Sequence, residues 1–149
     1  MAREFELMED NSAPATVHTS HGDLTLEQIA ESLPGTGEVM ESISHCFGTA
    51  WHAGRAGKWD LAAYYTRRVR GLMRTLAVRR PKYAGQLEEF MRDGLEPLLR
   101  AMVDRDEAGF KKRFAACVVM ANRYHVDTGH AYIEWSTPES SPEQGIGLP

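Results

Sequence analysis

The chain has 149 residues, 42% of them hydrophobic and 26% charged, a balance that suits a globular protein and excludes wholesale disorder. No run approaches the roughly 18 apolar residues that a membrane-spanning helix needs, and the two cysteines, Cys46 and Cys117, offer neither a disulfide framework nor a paired-cysteine metal motif. The net charge of −4 is mild and disfavours nucleic acid as a partner.

The length predicts one domain with tails. The opening stretch MAREFELMEDNSAPATVHTS holds one arginine, several acids and no apolar run. It is unlike a secretory signal, which sets the expectation of a cytoplasmic protein. Charge is unevenly distributed: residues 1–41 carry nine acids and one base, whereas residues 58–82 carry eight bases and only Asp60 as an acid.

Residues 1–23 lack helical periodicity, contain Pro14 and small polar residues, and are expected to form a mobile acidic arm. A short helix is predicted from Asp23 to Leu33, with Thr25 as N-cap and Gln28 as its capping-box partner. Pro34 and Gly35 end it. Four long helices follow. The first spans about Thr36–Arg55 and stops at Gly57, and the second spans Trp59–Arg79 before Arg80-Pro81. The third covers about Tyr83–Val103 with Pro97 inside it, where a bend is expected, and the fourth covers Asp106–Asp127, closed by Gly129. Strand signals are almost absent.

On helical wheels the first helix presents Val39, Ile43, Phe47, Ala50 and Gly54, with Cys46 at the edge, and the second presents Leu61, Tyr65, Leu72 and Leu76. The third presents Leu87, Met91, Leu95, Leu98 and Met102, and the fourth presents Phe110, Phe114, Cys117, Val118 and Ala121. Short connections between amphipathic helices predict an all-α fold, an antiparallel up-down-up-down four-helix bundle over residues 24–130 that includes the short helix. Residues 131–149 are left as an extended tail.

The fourth helix carries the most informative residues. Its inward stripe continues to Tyr124 and His125, and an inward histidine either bonds within the core or ligates something held between helices. His130, past Gly129, is either a cap or a second group at the same mouth. His45 and His52 share one side of the first helix with Glu41, superficially a metal comb. That side lies nearly opposite the apolar stripe, so an exposed polar face is predicted. Cys46 and Cys117 read as buried, inert thiols. Arg67, Arg70 and Arg74 form a solvated face. Arg68 sits beside Tyr64 and Leu72 at the stripe margin, where it either meets an acid or bound anion or extends to solvent.

Ala121–Ile133, ANRYHVDTGHAYI, with Ser140-Ser141-Pro142 after it, resembles the end of small bacterial four-helix c-type cytochromes of the cytochrome c′-like type. There this place reads approximately C-N-x-C-H-x-x-T-G-H-x-F-I. Ala50–Tyr65, AWHAGRAGKWDLAAYY, is similar to their first helical hairpin, so the resemblance covers roughly residues 40 to 145. Both thioether cysteines are absent, Ala121 and Tyr124 standing in their places, so haem cannot attach covalently there. The resemblance implies His125 as axial ligand, and therefore metal ligand, of a non-covalent haem.

Three functions follow as expectations. The first is a haem or small-ligand binder with His125 as axial ligand or ligand contact and Tyr124, Trp51, Tyr65, Arg68 and His130 lining the pocket. The second is a cofactor-independent enzyme using His125 and Tyr124 as an acid–base pair. The third is an interaction module with a packed core. The resemblance also implies a homodimer through the first and second long helices.

Overall fold

A computed structural model describes residues 13–139. The acidic stretch 1–12 and Ser140-Ser141-Pro142 lie outside the described residues. The chain divides into two compact units, Met1–Gly35 and Thr36–Pro149, where the length predicts one domain. Most described residues are helical, in line with an α-rich chain.

The first unit departs from the sequence reading. Within the expected arm, β1 (Thr16–Thr19) and β2 (Gly22–Thr25) form an antiparallel hairpin in which Thr16 pairs with Thr25 and Thr19 with Gly22. Thr16, Val17 and Thr19 suit extended backbone. The turn closes because the Thr19 hydroxyl donates to the Gly22 carbonyl at 2.7 Å and Gly22 takes a φ of 129°. Four-residue strands are too short for alternation to register in the sequence. Helix α1 (Leu26–Ser32) follows with the expected capping box. Gln28 N–H donates to Thr25 Oγ1 at 3.1 Å, and Thr25 N–H donates to Gln28 Oε1 at 2.9 Å.

In the second unit α2 spans Thr36–Arg55 and α3 spans Trp59–Arg79, separated by Gly57 at a φ of 70°. The predicted third helix is composite. A 3₁₀ turn at Pro81–Tyr83 leads into α4 (Ala84–Glu89), a π-helical segment at Phe90–Leu95, and α5 (Glu96–Val103). Pro97 is the physical cause: it cannot donate to the carbonyl four residues back and its ring crowds that turn. The backbone resolves the conflict by widening, so that Glu96 N–H donates to Met91 O, five residues behind. Helix α6 (Glu107–Asp127) starts on Asp106, which accepts from Gly109 N–H at 3.0 Å, and ends before Gly129 at a φ of 80°.

Helix α2 packs on α3, α3 on α4 and α5, and α6 on α5, the π segment and α2. The predicted stripes of the first and fourth helices are buried at Val39, Ile43, Cys46, Phe47, Ala50, Gly54, Phe110, Phe114, Cys117 and Ala121, with Val118 partly so. The α3 stripe is rotated from expectation. Ala62, Ala63, Thr66, Val69, Met73 and Leu76 are buried, while Leu61, Tyr65 and Leu72 are only partly covered. The residues of smaller volume permit close approach of α2, a choice that a wheel weighted to large apolar residues misses. In the composite third helix Leu95, Leu98 and Met102 are buried and Leu87 and Met91 partly so. The π turn brings Phe90 and Gly94 inward as well.

Aromatic rings fill the contact between α2 and α6. Phe47 stacks on Phe114 at 4.3 Å, and Trp51 lies 4.7 Å from Phe114 and 5.5 Å from Phe110. His52 corrects the sequence reading. The wheel predicts an exposed polar face for it with His45, yet it is 5% exposed, because every residue from Cys46 to Gly54 is buried. His45 is exposed as expected.

Candidate functional site

A cavity of about 580 Å³ opens where α2 begins and where α3 and α6 end. Each wall follows from local structure. Helix α2 contributes Met40, Glu41 and Ser44 from its first turns, and α3 contributes Met73 and Leu76 from its last turns. Tyr83, Gln86, Leu87 and Phe90 come from the segment between the 3₁₀ turn and the first π residue, so the proline-driven π turn sets the position of one wall. Helix α6 supplies Ala121, Tyr124, His125 and Thr128 along one face.

The last wall is the segment after α6, for which the sequence predicts an extended tail. His130 N–H donates to the His125 carbonyl at 2.6 Å, and Ile133 N–H donates to the His130 carbonyl at 2.8 Å, turning the chain back. Asn122 then holds both backbone groups of Trp135. Its Nδ2 donates to Trp135 O at 2.9 Å and its Oδ1 accepts from Trp135 N–H at 2.7 Å. The Trp135 ring stacks on Phe47 at 5.0 Å and stands edge-on to His125 at 6.0 Å. Residues 130–135 thus act as a strap, with His130, Ile133, Glu134 and Trp135 against the cavity. The only advance signal was a lone tryptophan in a polar tail.

Among the described residues three buried side-chain polar atoms lack a hydrogen-bond partner: His52 Nε2, Tyr124 Oη and His125 Nδ1. Two of the three belong to adjacent residues in the cavity wall. Burial holds the His125 pKa below the ordinary histidine value, partly offset by the Ile133 backbone, which accepts from the imidazole, while His130 adds to the lowering. Nδ1 of the imidazole has no partner among the described residues. Burial also raises the Tyr124 phenol above its ordinary value; Glu89 raises it further and Arg123, 5.0 Å over the ring, works in the opposite sense. Arg123 itself pairs with Glu89 at 3.1 Å on the outer side. At neutral pH the wall therefore offers a proton acceptor at His125 and a donor at Tyr124.

Of the residues predicted from sequence, His125, Tyr124 and His130 meet at this cavity, whereas Trp51, Tyr65 and Arg68 do not line it. Trp51 is part of the aromatic stack. Tyr65 is partly buried on α3. Arg68 is exposed, its Nη1 3.4 Å from the Tyr64 hydroxyl, the solvent-directed alternative. The His130 side chain pairs through Nδ1 with Thr128 Oγ1 at 3.1 Å. Cys46 and Cys117 are free and buried.

No group of three or more His, Cys, Asp or Glu is placed to hold a metal ion among the described residues. An iron already carried in a porphyrin needs only axial donors, and His125 could supply one. The rest of the wall suits haem poorly. Among the described residues its formally charged side chains are Glu41 and Glu134, and no Lys or Arg lines it to meet the haem propionates. No helix among the described residues is long and apolar enough to cross a membrane. Comparison with models of known families, with curated proteins and with solved structures finds no match to this chain.

Proposed function

We propose that the second unit is an antiparallel up-down-up-down four-helix bundle, cytochrome c′-like in plan, that binds a small, largely apolar molecule without covalent attachment. The short links at residues 56–58 and 104–106 between mutually packed helices support that order. The function rests on one observation: among the described residues the buried His125 Nδ1 has no partner beside an apolar cavity, and the neighbouring Tyr124 Oη has none at close hydrogen-bond distance, with Arg123 and Glu89 acting on it from the outer side. Buried polar atoms are rarely left unpaired, because each costs about 1–3 kcal/mol of desolvation. A ligand with one polar end satisfies both atoms and fills a volume inside the range of about 300–1,000 Å³ usual for small-molecule sites.

Haem is the occupant that the resemblance implies. Its axial donor is available and its carboxylates are unmatched, so the reading favours a different molecule. The test is a titration with Nile red, a neutral dye that brightens in apolar surroundings. Wild type should bind it saturably. Ala121→Leu, which projects a larger side chain from the wall into the cavity, should weaken binding severalfold, and so should His125→Ala, with far-ultraviolet circular dichroism unchanged. Equal binding by all three proteins would overturn the proposal. A Soret shift on adding haemin that disappears in His125→Ala would restore haem.

A second reading draws on the acceptor and donor at His125 and Tyr124. An uncharged imidazole adjacent to a protonated phenol is the pairing that proton abstraction followed by proton return requires. It differs from simple binding in one respect: Tyr124→Phe would then abolish turnover while leaving Nile red affinity within about threefold.

A further inference from the structure

The proposed pocket carries a charge pattern that defines its occupant more closely. Glu41 approaches from α2 and Glu134 from the strap. Both are exposed, and neither has an ion-pair partner among the described residues. The basic residues nearby are engaged elsewhere. Arg123 lies over the Tyr124 ring and pairs with Glu89, Lys82 lies 4.8 Å over the Tyr83 ring, and Arg80 donates to Thr36 and to the Arg79 carbonyl. A second feature has the same sense. Of the four aromatic residues that line the cavity, Tyr83 and Tyr124 already carry Lys82 and Arg123 over their rings, which leaves Phe90 and Trp135, and the negative face of an aromatic ring attracts cations.

Resting on the pocket reading above, we propose that the ligand is a lipophilic organic cation: a protonated amine, which keeps N–H groups for the unpaired wall atoms, on an aromatic or branched apolar body. The body occupies the space between Met40, Met73, Leu76 and Phe90, and the ammonium faces Glu41, Glu134 and the Trp135 ring. Carboxylate and phosphate ligands of the same size are rejected, because they would face two unpaired carboxylates with no cation lining the wall to offset them.

The experiment uses three molecules with one ring system: naphthylmethylammonium, naphthylmethanol and naphthoate, titrated calorimetrically into the full chain at low ionic strength. The cation should bind about tenfold tighter than the anion, with the alcohol between them. In Glu41→Gln/Glu134→Gln that ratio should fall to about threefold or less while the alcohol binds as in wild type. Raising the salt to about 0.5 M should narrow the wild-type ratio in the same direction. Both substitutions are at exposed positions, so folding is not at stake. If the alcohol binds and the cation holds no advantage over the anion, the charge selection is wrong and the pocket stands. If the double variant keeps the full ratio, the two carboxylates are not its source and the proposal fails. If none of the three binds, the pocket and its selectivity fall together.

Discussion

At the scale of single residues, two positions show how closely the packing is determined. A Cβ added at Gly54 would overlap the Phe110 ring, which is itself fully buried. Gly54→Ala must therefore displace a core aromatic, and overpacking of this kind costs about 1–3 kcal/mol. A urea titration should show a lower midpoint by that amount, whereas Gly71→Ala, whose Cβ meets nothing within 4 Å, should hold or gain stability. Cys117 gives a chemical counterpart. Burial pushes its thiol up to about 12, despite the charge of Arg113 acting the other way. At pH 8 the thiolate is then about one part in ten thousand, so a disulfide reagent should leave native Cys117 unmodified over hours. It should react within minutes once the chain unfolds. Rapid native labelling located at Cys117 by mass spectrometry would show the core to be more open than described.

At the scale of elements, the strap and the π segment were the least legible features, for different physical reasons. Helix limits and caps depend on local chemistry, and Thr25, Gly57, Asp106 and Gly129 announced themselves. The periodicity of α6 likewise points Tyr124 and His125 inward, and both line the cavity. The strap depends on Asn122 reaching Trp135 thirteen residues on, a tertiary pairing with no periodic signature. The buried side of α2 at His52 failed for a related reason, since a wheel assumes one solvated face and this helix is enclosed between Cys46 and Gly54. Pro97 predicted a disturbance but not its form. The strap has a direct test. Asn122→Ala removes both bonds to Trp135, each worth about 0.5–1.5 kcal/mol net. Amide exchange at residues 133–135 should accelerate at least tenfold and tryptophan emission should shift to the red, with α2 and α3 amides unchanged. Unchanged exchange in the strap would mean that Trp135 stacking on Phe47 holds it alone.

At the scale of the whole molecule, stability and the proposed binding share one titratable group. Burial lowers the His125 pKa in the folded chain below its unfolded value of about 6.5. The sign follows from proton counting. Above pH 6.5 the imidazole is neutral in both states and carries no penalty; as pH falls through 6.5 the unfolded chain takes up a proton that the folded chain resists, so folding stability declines. The window is bounded below by the carboxylates. Asp93 and Glu107, held below their ordinary values by Arg92 and Lys111, lose their contribution only in more acidic solution. Between about pH 5 and 6.5 the histidine effect is therefore separable from theirs. His125→Gln should flatten the decline in urea midpoint across that interval relative to wild type and leave the acid limb below it in place. Protonation of the folded chain places a positive charge in the cavity wall beside the proposed ammonium, so wild-type affinity for naphthylmethylammonium should fall as pH drops through the lowered His125 pKa. The neutral naphthylmethanol, which has no charge to repel, should change less, and His125→Gln should bring the two profiles together. Parallel profiles for cation and alcohol in wild type would place the ammonium away from His125.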